Sequence, residues 1–390
     1  MADIKNFYMN NRFIINISKQ DFEKIHVVIN ELVNRYDVII NNLLANEEIK
    51  GVFSFSKFKI DINNQRCLLK NILRDVLNFY KEELKNLKCV FLSGSYARGT
   101  NKMASDIDLH FFYKNGDYNY IYEEIICYII SKVIRKSRDC IDPTFIFNLS
   151  SKNKEIITKS MNLGLLKISL VSGKRVINYS YKYGKKRRFF LQYNNSRDIN
   201  DLKSYLLEKL KKDNFEWVHC FDVIYGKDAF LEVYDQIYKE ELELIDINYI
   251  KMRVIKLVDD IKEFGSSVLD RNISVIKKHY QSYVFELVYE YISIVRLLLI
   301  YYGYEVKFIN LFDIYDLIKE DERFDSEIII SFYEYMWNLR DLTVYCRCNN
   351  INYGLHNDEY INYDFSVLDS VLGKLKNNLL LELERMERML

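Results

Sequence analysis

Leu92-Ser93-Gly94-Ser95-Tyr96-Ala97-Arg98-Gly99-Thr100-Asn101-Lys102-Met103-Ala104-Ser105-Asp106-Ile107-Asp108-Leu109 is the stretch on which the reading of this chain turns. Lys88 to Leu92 in front of it reads as a short strand, and Ile107 to Tyr113 as another. The first strand runs into Gly94-Ser95, where a residue without a side chain lets backbone approach a ligand closely. The residues that follow suit a short helix, whose N–H groups and dipole favour a phosphate. The Ser95 hydroxyl adds one more donor. Ser105 then introduces Asp106-Ile107-Asp108 at the head of the second strand. Strand alternation puts Asp106 and Asp108 on one face and Ile107 on the other. Two such carboxylates repel unless a cation lies between them, and hard oxygen ligands suit Mg²⁺.

Working outward, Asp21 to Leu44 has apolar residues at helical spacing, and Cys67 to Leu87 reads as a second helix. Val52 to Ile62 between them alternates loosely and is expected to be a short strand. Downstream of the motif, Tyr118 to Arg135 reads as a helix and Thr144 to Leu149 as a strand. Leu165 to Val171, a Ser172-Gly173 turn and Arg175 to Tyr179 read as a hairpin. The basic run Lys182 to Arg188 marks a boundary. Beyond it the pattern is helical: Ile199 to Lys211, Trp217 to Lys239, Ile247 to Phe264, Tyr280 to Tyr302, Phe312 to Ile318, Ser326 to Tyr345 and Asp364 to Met389. Tyr280 to Tyr302 is apolar almost all round, which predicts a central helix of a bundle. The fold class is therefore α+β, a mixed sheet with helices followed by a C-terminal α-helical bundle.

Gly-Ser followed after a short gap by Asp-x-Asp resembles the signature of the nucleotidyltransferase superfamily, whose catalytic fold is that of DNA polymerase β. The wording Gly94 to Thr100, then Ser105 to Leu109, is similar to its bacterial small-nucleotidyltransferase branches. Asp222-Val223-Ile224-Tyr225-Gly226-Lys227-Asp228-Ala229-Phe230 resembles a helix-turn found after the catalytic domain in glutamine-synthetase adenylyltransferase and its uridylyltransferase relatives. The resemblance implies a catalytic domain over residues 85–185, an N-terminal helical segment (1–84) packing on it, and an acceptor-binding helical domain over 186–390. It implies an enzyme that moves a nucleoside monophosphate, AMP above the others, from an NTP (ATP first among them) to a hydroxyl acceptor and releases pyrophosphate. Asp106 and Asp108 would hold Mg²⁺, with two ions expected and Mn²⁺ as the alternative. Gly94, Ser95, Arg98, Lys102 and Ser105 would contact the nucleotide.

The family also carries a third carboxylate on a later strand. Asp142 is the candidate, at the start of the Thr144 strand where Pro143 is tolerated, and Asp139 is its competitor. Glu286 and Glu290, four residues apart in the apolar Tyr280 to Tyr302 stretch, are candidates for a base on the acceptor hydroxyl or for paired bundle polar groups, with Glu286 the better catalytic one. His110 shares the face of Asp106 and Asp108, as a site residue or as a packed histidine. Lys182 to Arg188 reads as a phosphate grip or as a solvated loop. The acceptor is expected to bind between the catalytic and helical halves.

Composition bounds the rest. The chain has 390 residues, 49% of them hydrophobic and 28% charged, which excludes disorder and allows two or three domains. Lys and Arg number 56 against 55 Asp and Glu. That balance disfavours a nucleic-acid partner and a membrane field and fits a small-molecule acceptor, whereas a protein acceptor fits the resemblance of residues 222–230 to the adenylyltransferases. A toxin, a second-messenger synthase, an RNA-modifying enzyme and a non-enzymatic antitoxin module are the remaining alternatives. One Pro and 12 Gly imply long uninterrupted elements. Seven scattered Cys, no secretory signal at the N-terminus and no apolar run long enough to span a bilayer fit a cytoplasmic protein. The oligomeric state is not encoded in any motif.

Overall fold

The computed structural model describes residues 12–48, 55–101, 107–115, 119–134, 144–149, 156–160, 168–172, 175–179, 190–192, 198–213, 220–243, 245–269, 287, 290–331 and 365–388. They form two compact units. The first comprises Met1–Val52, Lys57–Leu202 and Asp222–Leu231, and the second Phe53–Ser56, Lys203–Phe221 and Glu232–Leu390.

In the first unit, strand β1 (Arg12–Ile17) leads through Ser18 into helix α1 (Lys19–Glu48). Ser18 starts the helix as serine commonly does: its Oγ accepts the Asp21 N–H at 3.0 Å and donates to the Asp21 carboxylate at 2.6 Å. Phe22, Ile25, Val28, Leu32, Tyr36, Ile40 and Leu43 recur every three or four residues and are buried. Helix α2 (Phe55–Phe79) buries Ile62, Leu69, Ile72, Leu73 and Val76 on the matching face. Of the short strand expected over Val52 to Ile62, residues 55–62 are instead the first part of this helix, and residues 52–54 lie outside the described residues. Ile60 and Ile62 would share a strand face, but the helix turns them apart, leaving Ile62 fully buried and Ile60 59% exposed. Arg35 of α1 and Asp75 of α2 lie 2.5 Å apart, and the Tyr36 hydroxyl donates to the same carboxylate at 2.7 Å.

Strand β2 (Leu87–Ser93), helix α3 (Gly94–Arg98), strand β3 (Ile107–Tyr113) and helix α4 (Tyr120–Ile134) follow. Then come β4 (Thr144–Leu149), β5 (Ile156–Ser160), β6 (Ile168–Ser172), β7 (Arg175–Tyr179), β8 (Phe190–Gln192) and β9 (Asp222–Tyr225). The main sheet has the order β8-β7-β6-β3-β2-β9, and a three-stranded sheet has the order β1-β4-β5. The expected hairpin is present as β6 and β7, with Ser172 opposite Arg175. Within the main sheet β3 runs antiparallel to β2 and parallel to β6. Val90, Leu92, Leu109 and Phe111 join the core formed with α1, α2 and α4. Phe91, His110 and Phe112 occupy the opposite face, where Phe91 meets Phe230 edge-on at 5.0 Å.

The helix expected over Trp217 to Lys239 is broken. Asp222–Tyr225 forms the edge strand β9, antiparallel to β2, and helix α6 (Lys227–Leu242) starts only after Gly226. The cause is local. Gly226 has φ +68°, and a Cβ there would lie 1.7 Å from the Lys88 carbonyl oxygen, so β9 and β2 approach through a position that only glycine fills. The resemblance of residues 222–230 to a helix-turn thus corresponds to a strand, a glycine and a helix.

In the second unit the described helices are α5 (Leu202–Asp213) from Lys203, α6 from Glu232, α7 (Ile247–Leu269), α8 (290–301), α9 (Leu311–Lys319), α10 (326–331) and α11 (Phe365–Arg388). Residues 291–299 of α8 are all buried, as its all-round apolar sequence predicts. Its fully buried Arg296 donates to the Ile309 carbonyl and to Cys220 Sγ. The sheet and bundle together make the fold class α+β with a helical C-terminal region. No described helix is long and apolar enough to cross a membrane, and Cys67, Cys89 and Cys220 are free thiols.

Candidate functional site

The site is built where β2 ends. Its last residue, Ser93, is opposite Asp108 of β3, and its neighbour Leu92 is opposite Leu109 on one side and Asp222 of β9 on the other. The chain then turns at Gly94 with φ +67°, a conformation that side chains disfavour. A Cβ built on Gly94 would lie 1.8 Å from Asp108 Oδ2. The volume that glycine leaves open is therefore taken by the Asp108 carboxylate. The carboxylate thereby stands directly beside the Gly94 turn.

Helix α3 closes at Gly99, which is left-handed at φ 78° and donates its N–H to the Ser95 carbonyl; the Thr100 N–H donates to the same oxygen at 3.0 Å. Ser95 is buried and its hydroxyl has no hydrogen-bond partner, an unusual state for a buried polar group. Asn101 donates from Nδ2 to Gln65 Oε1 of α2 at 2.9 Å, both side chains being buried, which anchors the far end of the turn.

A second anchor lies beside it. Asp222 accepts from Arg66 Nη2 at 2.7 Å and from Lys70 Nζ at 2.8 Å, the two cations being four residues apart on α2. Burial acts to raise the Asp222 pKa, but the charges of Arg66 and Lys70 outweigh it and hold the carboxyl below its usual value. The sequence reading missed this triad because a helix was assigned there. The β-branched run Val223-Ile224 closed by Gly226 was the available signal.

Six of the sequence-derived candidates are described: Gly94, Ser95, Arg98, Asp108, His110 and Glu290. The structure brings Gly94, Ser95 and Asp108 together at the β2–β3 end and puts Arg98, half-buried, at the close of α3. Lys102, Ser105, Asp106, Asp139, Asp142, Glu286 and the Lys182 to Arg188 run lie outside the described residues. Asp142 was expected at the head of β4, and β4 pairs with β1 and β5. The strands alongside β3 are β2 and β6, which set Ser93 and Ser169 on either side of Asp108. His110 is buried, stacked on Phe91 at 4.7 Å, with Nε2 2.7 Å from Ser93 Oγ. Glu290 lies 2.6 Å from Arg253 of α7 and so is a paired carboxylate of the bundle. Among the described residues no three His, Cys, Asp or Glu side chains converge on a cation position.

No curated protein matches the chain. A family model described as a nucleotidyltransferase domain matches residues 73–163. The match takes in α4 and also β2, the Gly94 turn and β3, the elements that bring Gly94, Ser95 and Asp108 together. Domains of this family generally act on an NTP with a divalent metal, which supports nucleotidyl transfer in general. Residues 73–163 are thus similar to nucleotidyltransferase domains, which is consistent with the nucleotidyltransferase superfamily.

Proposed function

We propose that the chain transfers a nucleoside monophosphate, AMP from ATP, to a hydroxyl of a small-molecule acceptor and releases pyrophosphate. The observation that carries this reading is the contact of the Gly94 backbone with the Asp108 carboxylate inside a nucleotidyltransferase domain. It brings a hard anionic ligand and a tight backbone turn to one point. Gly94 and Ser95 hold the β- and γ-phosphates, and the partnerless buried Ser95 hydroxyl fits a donor that waits for a ligand. Arg98 and Lys102 add positive charge for the leaving pyrophosphate, and Ser105 leads the chain into Asp106.

Asp108 is a hard oxygen donor, half-buried, on the sheet face away from the helical core, which fits a divalent cation. Asp106 and Asp108, with Asp142 as the third carboxylate, would hold two Mg²⁺ ions (Mn²⁺ as the alternative), which when bound neutralise triphosphate charge and activate the attacking oxygen. The helical region chooses the acceptor, and Glu286 contacts its hydroxyl. The near-neutral charge of the chain, +1, favours a small acceptor over nucleic acid.

Two measurements test the reading. Cell extract incubated with the protein, Mg²⁺ and each radiolabelled NTP should place label on a small molecule, with ATP the best donor. Label on protein or on RNA would replace the acceptor class, and no transfer from any NTP would leave a binding module. Titration calorimetry of the Asp106→Asn/Asp108→Asn double variant should show Mg·ATP affinity lowered at least about tenfold. Undiminished affinity and turnover would overturn the site.

A further inference from the structure

Serine before the first residue of a helix ordinarily turns its hydroxyl onto the N–H groups two or three residues on. In this chain Ser18 does so at α1, and Asp246 and Asn310 do so at α7 and α9. Ser93 stands in the same position before α3 with an extended backbone, φ −126° and ψ −161°, yet makes no side-chain cap bond. Its hydroxyl is held instead by His110 Nε2 at 2.7 Å, both side chains being buried. His110 is itself fixed by stacking on Phe91, the rings 15° from parallel with centroids 4.7 Å apart. In either imidazole tautomer this bond engages Ser93 Oγ with the neighbouring strand, and the turn that follows receives no side-chain cap bond.

We infer that His110 is a positioning residue for the nucleotide: by sequestering the Ser93 hydroxyl it keeps that hydroxyl from capping the Gly94-Ser95 turn, so the turn keeps its donors for a phosphate. The inference rests on the nucleotidyl-transfer reading above. It is independent of the helix dipole, because α3 has only five residues. What points to a ligand at the turn is the Ser95 side chain, which is 3% exposed and carries a hydroxyl without a partner. A released Ser93 hydroxyl, one residue before Gly94 at the cap position, would compete for the donors of the turn. It is also opposite Asp108 in register, where it could bind the carboxylate intended for the cation.

The test uses the full chain and Mg·ATP as the probe, with affinity read by titration calorimetry and folding checked by near-ultraviolet circular dichroism. His110→Phe keeps a ring on Phe91 but loses the bond to Ser93. It should weaken Mg·ATP binding about tenfold, the order expected when one hydrogen-bonding group becomes a competitor. Ser93→Ala added to His110→Phe should bring affinity back to within about threefold of wild type, because no hydroxyl remains to compete. His110→Gln, whose side-chain amide can still hold Ser93, should bind nearly as wild type even if the ring packing makes His110→Phe fold poorly. A double variant as weak as His110→Phe, a His110→Phe chain that binds as wild type, or a folded His110→Gln chain that binds as weakly as His110→Phe would overturn the inference while leaving the nucleotide site standing. A wild-type protein that binds none of the four Mg·NTPs would overturn the functional reading and this inference with it.

Discussion

The carboxylate of Asp108 lies in the space where Gly94 would carry a side chain, 1.8 Å from the ideal Cβ position to Oδ2. Two chain segments are thereby locked to each other: the turn that ends β2 needs a residue without a Cβ, and the strand that carries the carboxylate needs that turn. Gly94→Ala should therefore be destabilising on two counts, the clash and the left-handed φ of +67°. A loss of about 2–4 kcal/mol is expected in chemical denaturation. Asp108→Ala in the same chain should recover the part due to the clash, since Asp108 Cβ sits at 3.3 Å and can be accommodated, and leave about 1 kcal/mol of backbone strain. Strict additivity of the two substitutions would show that the contact does not matter.

Asp142→Asn should lower turnover at least tenfold with little change in Mg·ATP affinity, because the third carboxylate acts on the attacking oxygen. Asp139→Asn should be mild. The reverse ranking transfers the role to Asp139. Mild effects from both would accord with β4 pairing with β1 and not with β3, and would leave Asp106 and Asp108 as the whole ligand set.

Asp222 ties the edge strand β9 to α2 through Arg66 and Lys70. Asp222→Ala strands two partly buried cations and should cost about 3 kcal/mol, while Asp222→Asn, which keeps a neutral acceptor, should cost less. The folded-state pKa of Asp222 is depressed, so its contribution is complete above the unfolded value near 3.8 and is lost as pH falls through the lower folded value. The stability difference between wild type and Asp222→Asn, followed by denaturation from pH 7 down to pH 2, should be flat to about pH 4 and then shrink. A difference that grows on acidification would contradict the ion-pair assignment.

Glu241 of α6 behaves in the opposite way. Burial pushes its carboxyl up to about 8, with the neighbouring charge of Glu240 adding to the shift. Its folded-state pKa lies above its unfolded one, so its contribution is complete below about pH 4.5 and is lost as pH rises through about 8. Glu241→Gln should be more stable than wild type at pH 9 by on the order of 1–3 kcal/mol, with the gain disappearing towards pH 4. Equal stability of the two proteins at pH 9 would show that Glu241 is ionised in the folded chain without cost.

The sequence alone determined those features that depend on near neighbours in the chain. Apolar spacing was enough to place α1, α4, α7 and α11, because a helix face is set by residues three and four apart. Gly94-Ser95 and Asp-x-Asp announced a turn and a carboxylate strand, because glycine and strand alternation act locally. Only the tertiary structure decided which distant segments meet. The run at Asp222 became a sheet edge, not part of a helix, because Gly226 lets its backbone press on Lys88 and because Arg66 and Lys70, more than 150 residues earlier, supply its counter-charge. The helix found over residues 55–62, where a strand is expected from the sequence, was decided likewise, by the apolar face that α2 buries with α1. His110 could be placed on the face of Asp108 by alternation, but its grip on Ser93 depends on the register between β2 and β3, and register is a property of two strands paired across a sheet.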